Sequence, residues 1–184
     1  MKKVILLLFT CIALASSTAQ AQSSVIKVNL LSPIVRTGSV FYERSIAADK
    51  SLQLGGFYTG FSVEETKFKG YGITPEFRKY FSTGKEAPEG FYVAPFARFQ
   101  SFKLELDSEE ASTPEGKATF NTIGGGVLVG RQWVFSNRIV LDAFLGPSYN
   151  NGNVKVTSGD AEDFETGAFS GFGIRTGLAL GIKF

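Results

Sequence analysis

Three carboxylates and three arginines are the residues of this sequence that could act together chemically. They are Glu43, Glu76, Asp142, Arg78, Arg98 and Arg175. Paired carboxylates can carry out general acid–base catalysis. Opposite charges enclosed in one interior more often form ion pairs, because an unpaired buried charge is costly. We therefore predict that these six side chains form an internal ion-pair network, provided that the fold turns them all inward.

The sequence lacks the residues that most other catalytic arrangements require. The chain has no histidine, and its single cysteine, Cys11, lies near the N-terminus. Ser-His-Asp and Cys-His catalysis and histidine-bound zinc are therefore excluded. Ser24 with Lys27, and Ser82 with Lys85, match a Ser-x-x-Lys spacing, but neither pair falls in a helix that would align the two side chains. We predict no catalytic, cofactor-binding or metal-binding residue, and hence no enzyme.

The N-terminus resembles a secretory leader. Two lysines precede an apolar run at 4–14, and Ala19-Gln20-Ala21 fits the small-x-small cleavage pattern. The run is shorter than the ~20 residues that a spanning helix needs. We predict a cleaved signal peptide at 1–21 and one domain at 22–184.

The composition of the exported part limits the kinds of partner that it could bind. Without the two leader lysines, 17 basic residues face 17 acidic ones. A nucleic-acid-binding protein would show a basic surplus. The exported part also has no cysteine, so no disulfide can stabilise it, although its compartment would permit one.

Strand patterns dominate after the leader, and sustained helical periodicity is absent. Eight strands are predicted, at 24–31, 38–46, 51–63, 70–81, 90–105, 118–135, 138–149 and 170–184. Alternate connections are short, at 47–50, 82–89 and 136–137, whereas the longest ones, at 106–117 and 150–169, fall at the opposite end. Short periplasmic turns and long outer loops are typical of bacterial transmembrane β-barrels.

The last strand indicates which face meets lipid. One row is Phe172, Ile174, Thr176, Leu178, Leu180, Ile182 and Phe184, and the other is Gly173, Arg175, Gly177, Ala179, Gly181 and Lys183. A soluble barrel would place the apolar row inside and a charged row in water. The second row is mostly glycine and alanine, which suits the interior of a narrow barrel. We therefore predict an all-β fold, an eight-stranded antiparallel up-and-down transmembrane β-barrel.

Further details follow from this arrangement. Aromatic residues at strand ends predict interfacial girdles; they are Phe41, Tyr42, Tyr71, Tyr80, Phe81, Phe91, Tyr92, Trp133, Phe135, Tyr149 and Phe184. Pro75, Pro95 and Pro147 predict local bulges, because proline cannot donate to the ladder. An apparent change of parity near Gly55-Gly56 predicts another bulge.

The terminal phenylalanine, Phe184, closes an alternating amphipathic strand. This ending resembles the C-terminal signature of Gram-negative outer-membrane proteins, most closely the small eight-stranded barrels typified by OmpX and the OmpA transmembrane domain. The segments 29–33, 42–44 and 78–81 are also similar to an uncharacterised group of such barrels. The resemblance implies location in the outer membrane, contact with its lipid, and recognition of the C-terminal strand by the barrel assembly machinery. It implies no biochemical activity.

We therefore expect a barrel with a structural or surface-interaction role and a lumen filled by side chains. Acidic residues in the outer loops at 106–117 and 150–169 could contact an extracellular partner; they are Asp107, Glu109, Glu110, Glu115, Asp160, Glu162, Asp163 and Glu165. One alternative is a narrow pore or small-solute transport barrel, although eight strands leave little open lumen. Another is a soluble, lipocalin-like ligand-binding barrel.

Overall fold

The computed structural model describes residues 23–63, 66–106, 116–158 and 170–184, and eight β-strands contain most of them. The strands are β1 (Ser24–Asn29), β2 (Thr37–Ala47), β3 (Lys50–Val63), β4 (Thr66–Tyr80), β5 (Gly90–Leu106), β6 (Gly116–Phe135), β7 (Ile139–Ser158) and β8 (Gly171–Lys183). A short 3-10 helix spans Ser32–Val35. Within the described ranges, no helix is long and apolar enough to span a bilayer. The predicted signal peptide lies outside these ranges.

Each strand pairs antiparallel with the next one along the chain, and β1 pairs with β8. The sheet is therefore a closed barrel, which solves the problem of unpaired sheet edges. Closure joins the two ends of the barrel sequence: the Ser24 amide donates to the Phe184 carbonyl at 2.9 Å, and the Phe184 amide donates to the Ser24 carbonyl at 2.8 Å. The predicted eight-stranded antiparallel architecture is confirmed.

Apolar side chains cover the outside of the wall. On β8, Phe172, Ile174 and Ile182 are 90%, 77% and 60% exposed, while Arg175 and Ala179 of the alternate row are buried. Every strand contributes to this outer belt, for example through Ile26, Val40, Leu54, Ile73, Phe99, Val127, Leu145 and Leu180. The prediction from the last strand is confirmed. A soluble barrel would bury this belt, so the lipocalin-like alternative is wrong.

The two ends of the barrel differ. At one end, which we call the turn end, lie the start of β1, the end of β8 and the connections at 48–49, 81–89 and 136–138. At the opposite end, the loop end, lie the connection at 30–36 and the strand ends that border 64–65, 107–115 and 159–169. The three predicted short connections thus fall together, within one residue of their predicted limits.

The strands β6 and β7 are each 20 residues long, and β7 runs well past its predicted end at 149. The Asn-Asn-Gly-Asn run at 150–153 has the composition of a turn, but it pairs with Asn121–Gly124 of β6. The strands therefore extend into the loops predicted at 106–117 and 150–169, and the rest of these loops, 107–115 and 159–169, lies outside the described residues. The side of the wall formed by β5–β7, the tall side, extends beyond the low side formed by β8, β1 and β2, whose strands have 13, 6 and 11 residues.

The bulges predicted at the prolines are absent. Pro75, Pro95 and Pro147 keep regular pairs with Leu54, Val127 and Ile174. On the other side of each proline, the ladder skips pairs without a change of register, because proline has no N–H to donate. The register instead shifts between Ser45 and Ala47 and between Lys117 and Ala118.

The bulge predicted near Gly55-Gly56 is also absent, because β3 keeps one parity throughout its pairing. Phe57 lies on the inward row and packs against Phe102. Its ring fits there because Gly72 has no side chain; a Cβ on Gly72 would lie 2.5 Å from the Phe57 ring.

The aromatic girdle needs one correction. Tyr42, Tyr71, Phe81, Phe91, Phe135, Tyr149 and Phe184 are exposed on the outside, and Trp133 lies half-buried on the same face. Phe41, Tyr80 and Tyr92 are instead buried in the lumen. Their parity puts them in the same rows as the internal charges, and glycines give them space: a Cβ on Gly130 would lie 2.4 Å from the Tyr92 ring.

Candidate functional site

Ionisable side chains meet inside the barrel, towards the turn end. We call this group the charged cluster; it comprises Lys27, Glu43, Glu76, Arg78, Asp142 and Arg175. All six are buried, and Lys27, Glu43 and Arg78 are fully inaccessible. Strand alternation places them there. Lys27, for example, stands between Ile26 and Val28, which face outward.

Two cations lie between the carboxylates at the centre of the charged cluster. Lys27 Nζ is 2.6 Å from Glu43 Oε2 and 2.8 Å from Asp142 Oδ2. Arg78 Nη1 is 2.8 Å from the same Asp142 oxygen and 3.3 Å from the same Glu43 oxygen. Arg78 Nη2 is also 3.1 Å from Glu76 Oε2. These shared contacts join four strands of the wall.

Glu76 connects the centre of the cluster to its loop-end side. Its Oε1 accepts a hydrogen bond from Arg175 Nη2 at 2.6 Å, and its Oε2 accepts one from Gln53 Nε2 at 3.0 Å as well as those from Arg78. Both oxygens of this buried carboxylate are therefore engaged.

Hydroxyl groups satisfy the other two carboxylates. Ser51 and Tyr80 donate to Glu43 Oε1 at 2.5 and 2.6 Å, and Tyr92 donates to Asp142 Oδ1 at 2.8 Å. The Arg78 guanidinium carbon lies 4.3 Å from the centre of the Tyr92 ring, which adds a cation–π contact. The two tyrosines thus form the boundary of the charged cluster on the turn-end side.

The connection between β4 and β5 folds into the turn end. We call its buried residues Ala87 and Pro88 the plug. Ser45 Oγ donates to the Ala87 carbonyl at 2.9 Å, and Gln132 Nε2 donates to the Pro88 carbonyl at 2.5 Å. Gln132 Oε1 in turn accepts from Lys27 Nζ at 2.6 Å. The plug is therefore hydrogen-bonded to the charged cluster through Gln132.

The remaining predicted residue, Arg98, lies on the loop-end side of the cluster. Its guanidinium carbon is 5.7 Å from the centre of the Phe96 ring, and that of Arg175 is 4.7 Å from the same ring. Among the described residues, no carboxylate pairs with Arg98. Arg98 Nε and Arg175 Nη1 are buried without a hydrogen-bond partner. Both arginines line a cavity of about 150 Å³.

The structure thus brings together five of the six predicted residues and leaves Arg98 beside them. Sequence reasoning missed Lys27, and it assigned Tyr80 and Tyr92 to the interfacial girdle, although both are buried in the lumen. The available indication for Lys27 was its position as a single charge between apolar residues on an alternating strand. Ser24 and Lys27 do not form a catalytic pair, since Ser24 Oγ contacts Tyr42 on the outside whereas Lys27 points inward.

This arrangement neutralises buried charge. Each carboxylate of the charged cluster contacts at least one cation and at least one neutral donor. Within the described part of the chain, no three acidic, histidine or cysteine side chains are grouped so that they could hold a metal ion.

The closed eight-stranded wall, its outer belt and its polar lumen define an outer-membrane β-barrel. The chain belongs to the family described as "Protein of unknown function (DUF3575)", whose model matches residues 5–155. A comparison with curated proteins finds no match.

Two solved structures are similar in fold. A major outer membrane protein from Thermus thermophilus shares 12% identity over 90% of this chain and 100% of its own, with a TM-score of 0.59. Ail, the attachment invasion locus protein of Yersinia pestis, shares 16% identity over 89% of this chain and 98% of its own, with a TM-score of 0.52. At these identities the likeness concerns the fold alone.

Proposed function

We propose that this protein is a non-conducting barrel of the outer membrane with a structural or surface-interaction role. The observation that carries the proposal is the continuous set of buried contacts across the lumen, from Arg175 through Arg78 and Lys27 to Gln132 and the plug. Water and solutes would have to separate these groups in order to pass. Each separation would leave buried charges unpaired, at a cost of several kcal/mol.

The same contacts argue against catalysis. A general acid or base must lie within reach of a proton on the substrate, and its own atoms must be free to take up or give that proton. Glu43 and Glu76 are inaccessible to solvent or nearly so, and their oxygens are already engaged by cations and neutral donors. We therefore assign the charged cluster to stability rather than to a reaction.

Planar-bilayer conductance of the purified protein tests this function. The expected result is a silent bilayer after insertion of protein whose folded state is verified by its change of gel mobility on boiling. Discrete, reproducible conductance steps from such folded protein would refute the proposal and favour the narrow-pore alternative.

The surface role rests on the charge of the loop end. The connections at 107–115 and 159–169 contain eight acidic residues and no basic residue. We propose that they face the cell exterior and contact a partner or cations there. Glutamate-specific protease added to intact cells should cut these loops and spare Glu86 and Glu89 of the β4–β5 connection, which should be cut only after the outer membrane is permeabilised. The reverse pattern would contradict this orientation.

We further propose that Phe184 is read by the barrel assembly machinery. The residue is 67% exposed on the outside, and its backbone bonds to Ser24 do not need an aromatic side chain. Phe184→Ala should therefore lower the amount of barrel in the outer membrane while leaving the unfolding of the refolded protein nearly unchanged. An equal loss of stability in vitro would assign the residue to packing instead.

A further inference from the structure

The lumen has a feature that a purely structural role does not need. We propose that it contains a binding site for a small oxyanion, represented by phosphate, between Arg98 and Arg175 on the loop-end side of the charged cluster. The site would bind its ligand at the closed end of an open recess, so it is compatible with a barrel that does not conduct.

The first argument is the balance of charge. Among the described residues, the charged cluster and Arg98 together comprise four cations and three carboxylates: Lys27, Arg78, Arg98 and Arg175 against Glu43, Glu76 and Asp142. Lys27 contacts Glu43 and Asp142, Arg78 contacts all three carboxylates, and Arg175 shares Glu76 with Arg78. Arg98 is left over. An enclosed positive charge is stabilised by an anion, and none of the described side chains supplies one.

The second argument is the unused donors. Arg98 Nε and Arg175 Nη1 are buried and have no hydrogen-bond partner. Buried polar groups nearly always have one, so two such N–H donors on neighbouring guanidinium groups require an explanation. Planar guanidinium groups match the geometry of carboxylate and phosphate oxygens. Glu76 accepts hydrogen bonds from Arg175 Nη2 and from Arg78, and it makes no contact with Arg98.

The third argument is the cavity itself. Its volume of about 150 Å³ exceeds the ~30 Å³ share of one water molecule. Polar groups of Asn29, Ser32, Ser39 and Thr74 line it beside the two arginines, and they can donate further hydrogen bonds.

The aromatic rings beside the cavity hold the site in place. Arg175 lies 4.7 Å from the Phe96 ring centre and 5.1 Å from that of Phe144, so its guanidinium is fixed on two sides. The Phe144 ring packs edge-on against Phe41 at a centroid distance of 6.2 Å. Such an apolar surround lowers the local dielectric and strengthens the attraction between the arginines and an anion.

The test uses the folded full-length barrel in a phosphate-free maltoside detergent. Sodium phosphate replaces sodium chloride at constant ionic strength, and the temperature at which the folded gel band disappears is measured. Phosphate should raise this temperature, because a ligand at ten times its Kd shifts the unfolding equilibrium about 11-fold. Calorimetric titration with phosphate should give the same Kd as the dependence of this temperature on the phosphate concentration.

Three variants locate the site. Arg98→Gln should lose the phosphate effect and should be no less stable than wild type in chloride, since it removes the unmatched cation. Ser39→Leu should also lose the effect by filling the cavity without a change of charge. Arg138→Gln, which removes an exposed arginine at the turn end, should keep it. No effect in wild type, or an undiminished effect in Arg98→Gln or Ser39→Leu, would overturn the proposal.

A further arm separates a free anion from a lipid headgroup. Phosphatidic acid is added to the maltoside micelles without free phosphate, and neutral diacylglycerol serves as the control. Stabilisation that depends on Arg98, by free phosphate or by phosphatidic acid, supports the oxyanion site and identifies its source. Stabilisation by neither free phosphate nor phosphatidic acid would refute the proposed oxyanion site.

Discussion

Neutralising Glu43 is the sharpest test of the charged cluster. Glu43 is fully buried and contacts Lys27, Arg78, Ser51 and Tyr80. Glu43→Gln preserves the shape but leaves four internal cations with two carboxylates. Removing one partner of a buried ion pair typically costs about 3–5 kcal/mol. We expect a loss of this size in the free energy of unfolding, measured by urea titration in lipid vesicles with the fluorescence of Trp133, the only tryptophan.

A second substitution tests whether charge is the cause. Lys27→Met combined with Glu43→Gln restores the original balance, so the double variant should be more stable than the sum of the two single losses predicts. Glu89→Gln, which breaks the partly exposed contact with Lys85, is the control and should cost about 1 kcal/mol or less. A loss below about 1 kcal/mol for Glu43→Gln, or strict additivity in the double variant, would refute the role that we assign to the charged cluster.

Three further predictions concern the wall. A Cβ on Gly177 would lie 2.3 Å from the Phe144 ring, so Gly177→Ala should lower the free energy of unfolding by about 1–3 kcal/mol through overpacking. Gly38→Ala is the control and should cost less, because a Cβ there would have no atom closer than 4.0 Å. Urea titration measures both losses. Leu145→Arg in the outer belt should destabilise the barrel in vesicles by up to ~2–4 kcal/mol, depending on its depth, and a neutral effect would contradict the lipid-facing assignment. Lipids brominated on their acyl chains should quench the fluorescence of Trp133, which lies on the outer face of the wall. Unquenched emission would contradict the contact of this face with lipid.

The sequence was sufficient for the architecture because a two-residue period leaves only two choices for each strand. Once the glycine-rich row of β8 was recognised as internal, the position of Arg175 followed, and the same reasoning placed Glu76 and Arg78 on β4. These assignments need only the alternation of side chains along one strand, which is visible in the sequence of that strand.

Properties that depend on pairing across the barrel could not be read in this way. The run at 150–153 has the residues of a turn, but β6 supplies partners that keep it extended. The partners of the Tyr80 and Tyr92 side chains also come from other strands: Gly130 leaves room for the Tyr92 ring, and Glu43 and Asp142 accept from the two hydroxyls. The missing partner of Arg98 is likewise a property of the assembled barrel and not of the sequence near it.

The unequal height of the wall sets the route by which a solute can enter. Asn29, Ser32 and Ser39 border the cavity, and all three belong to the low side or its connection. The wall beside this part of the cavity is the lower one, so the path from the loop end to the cavity is shorter on that side. The unequal strand lengths thus give the recess a rim that is lower on one side.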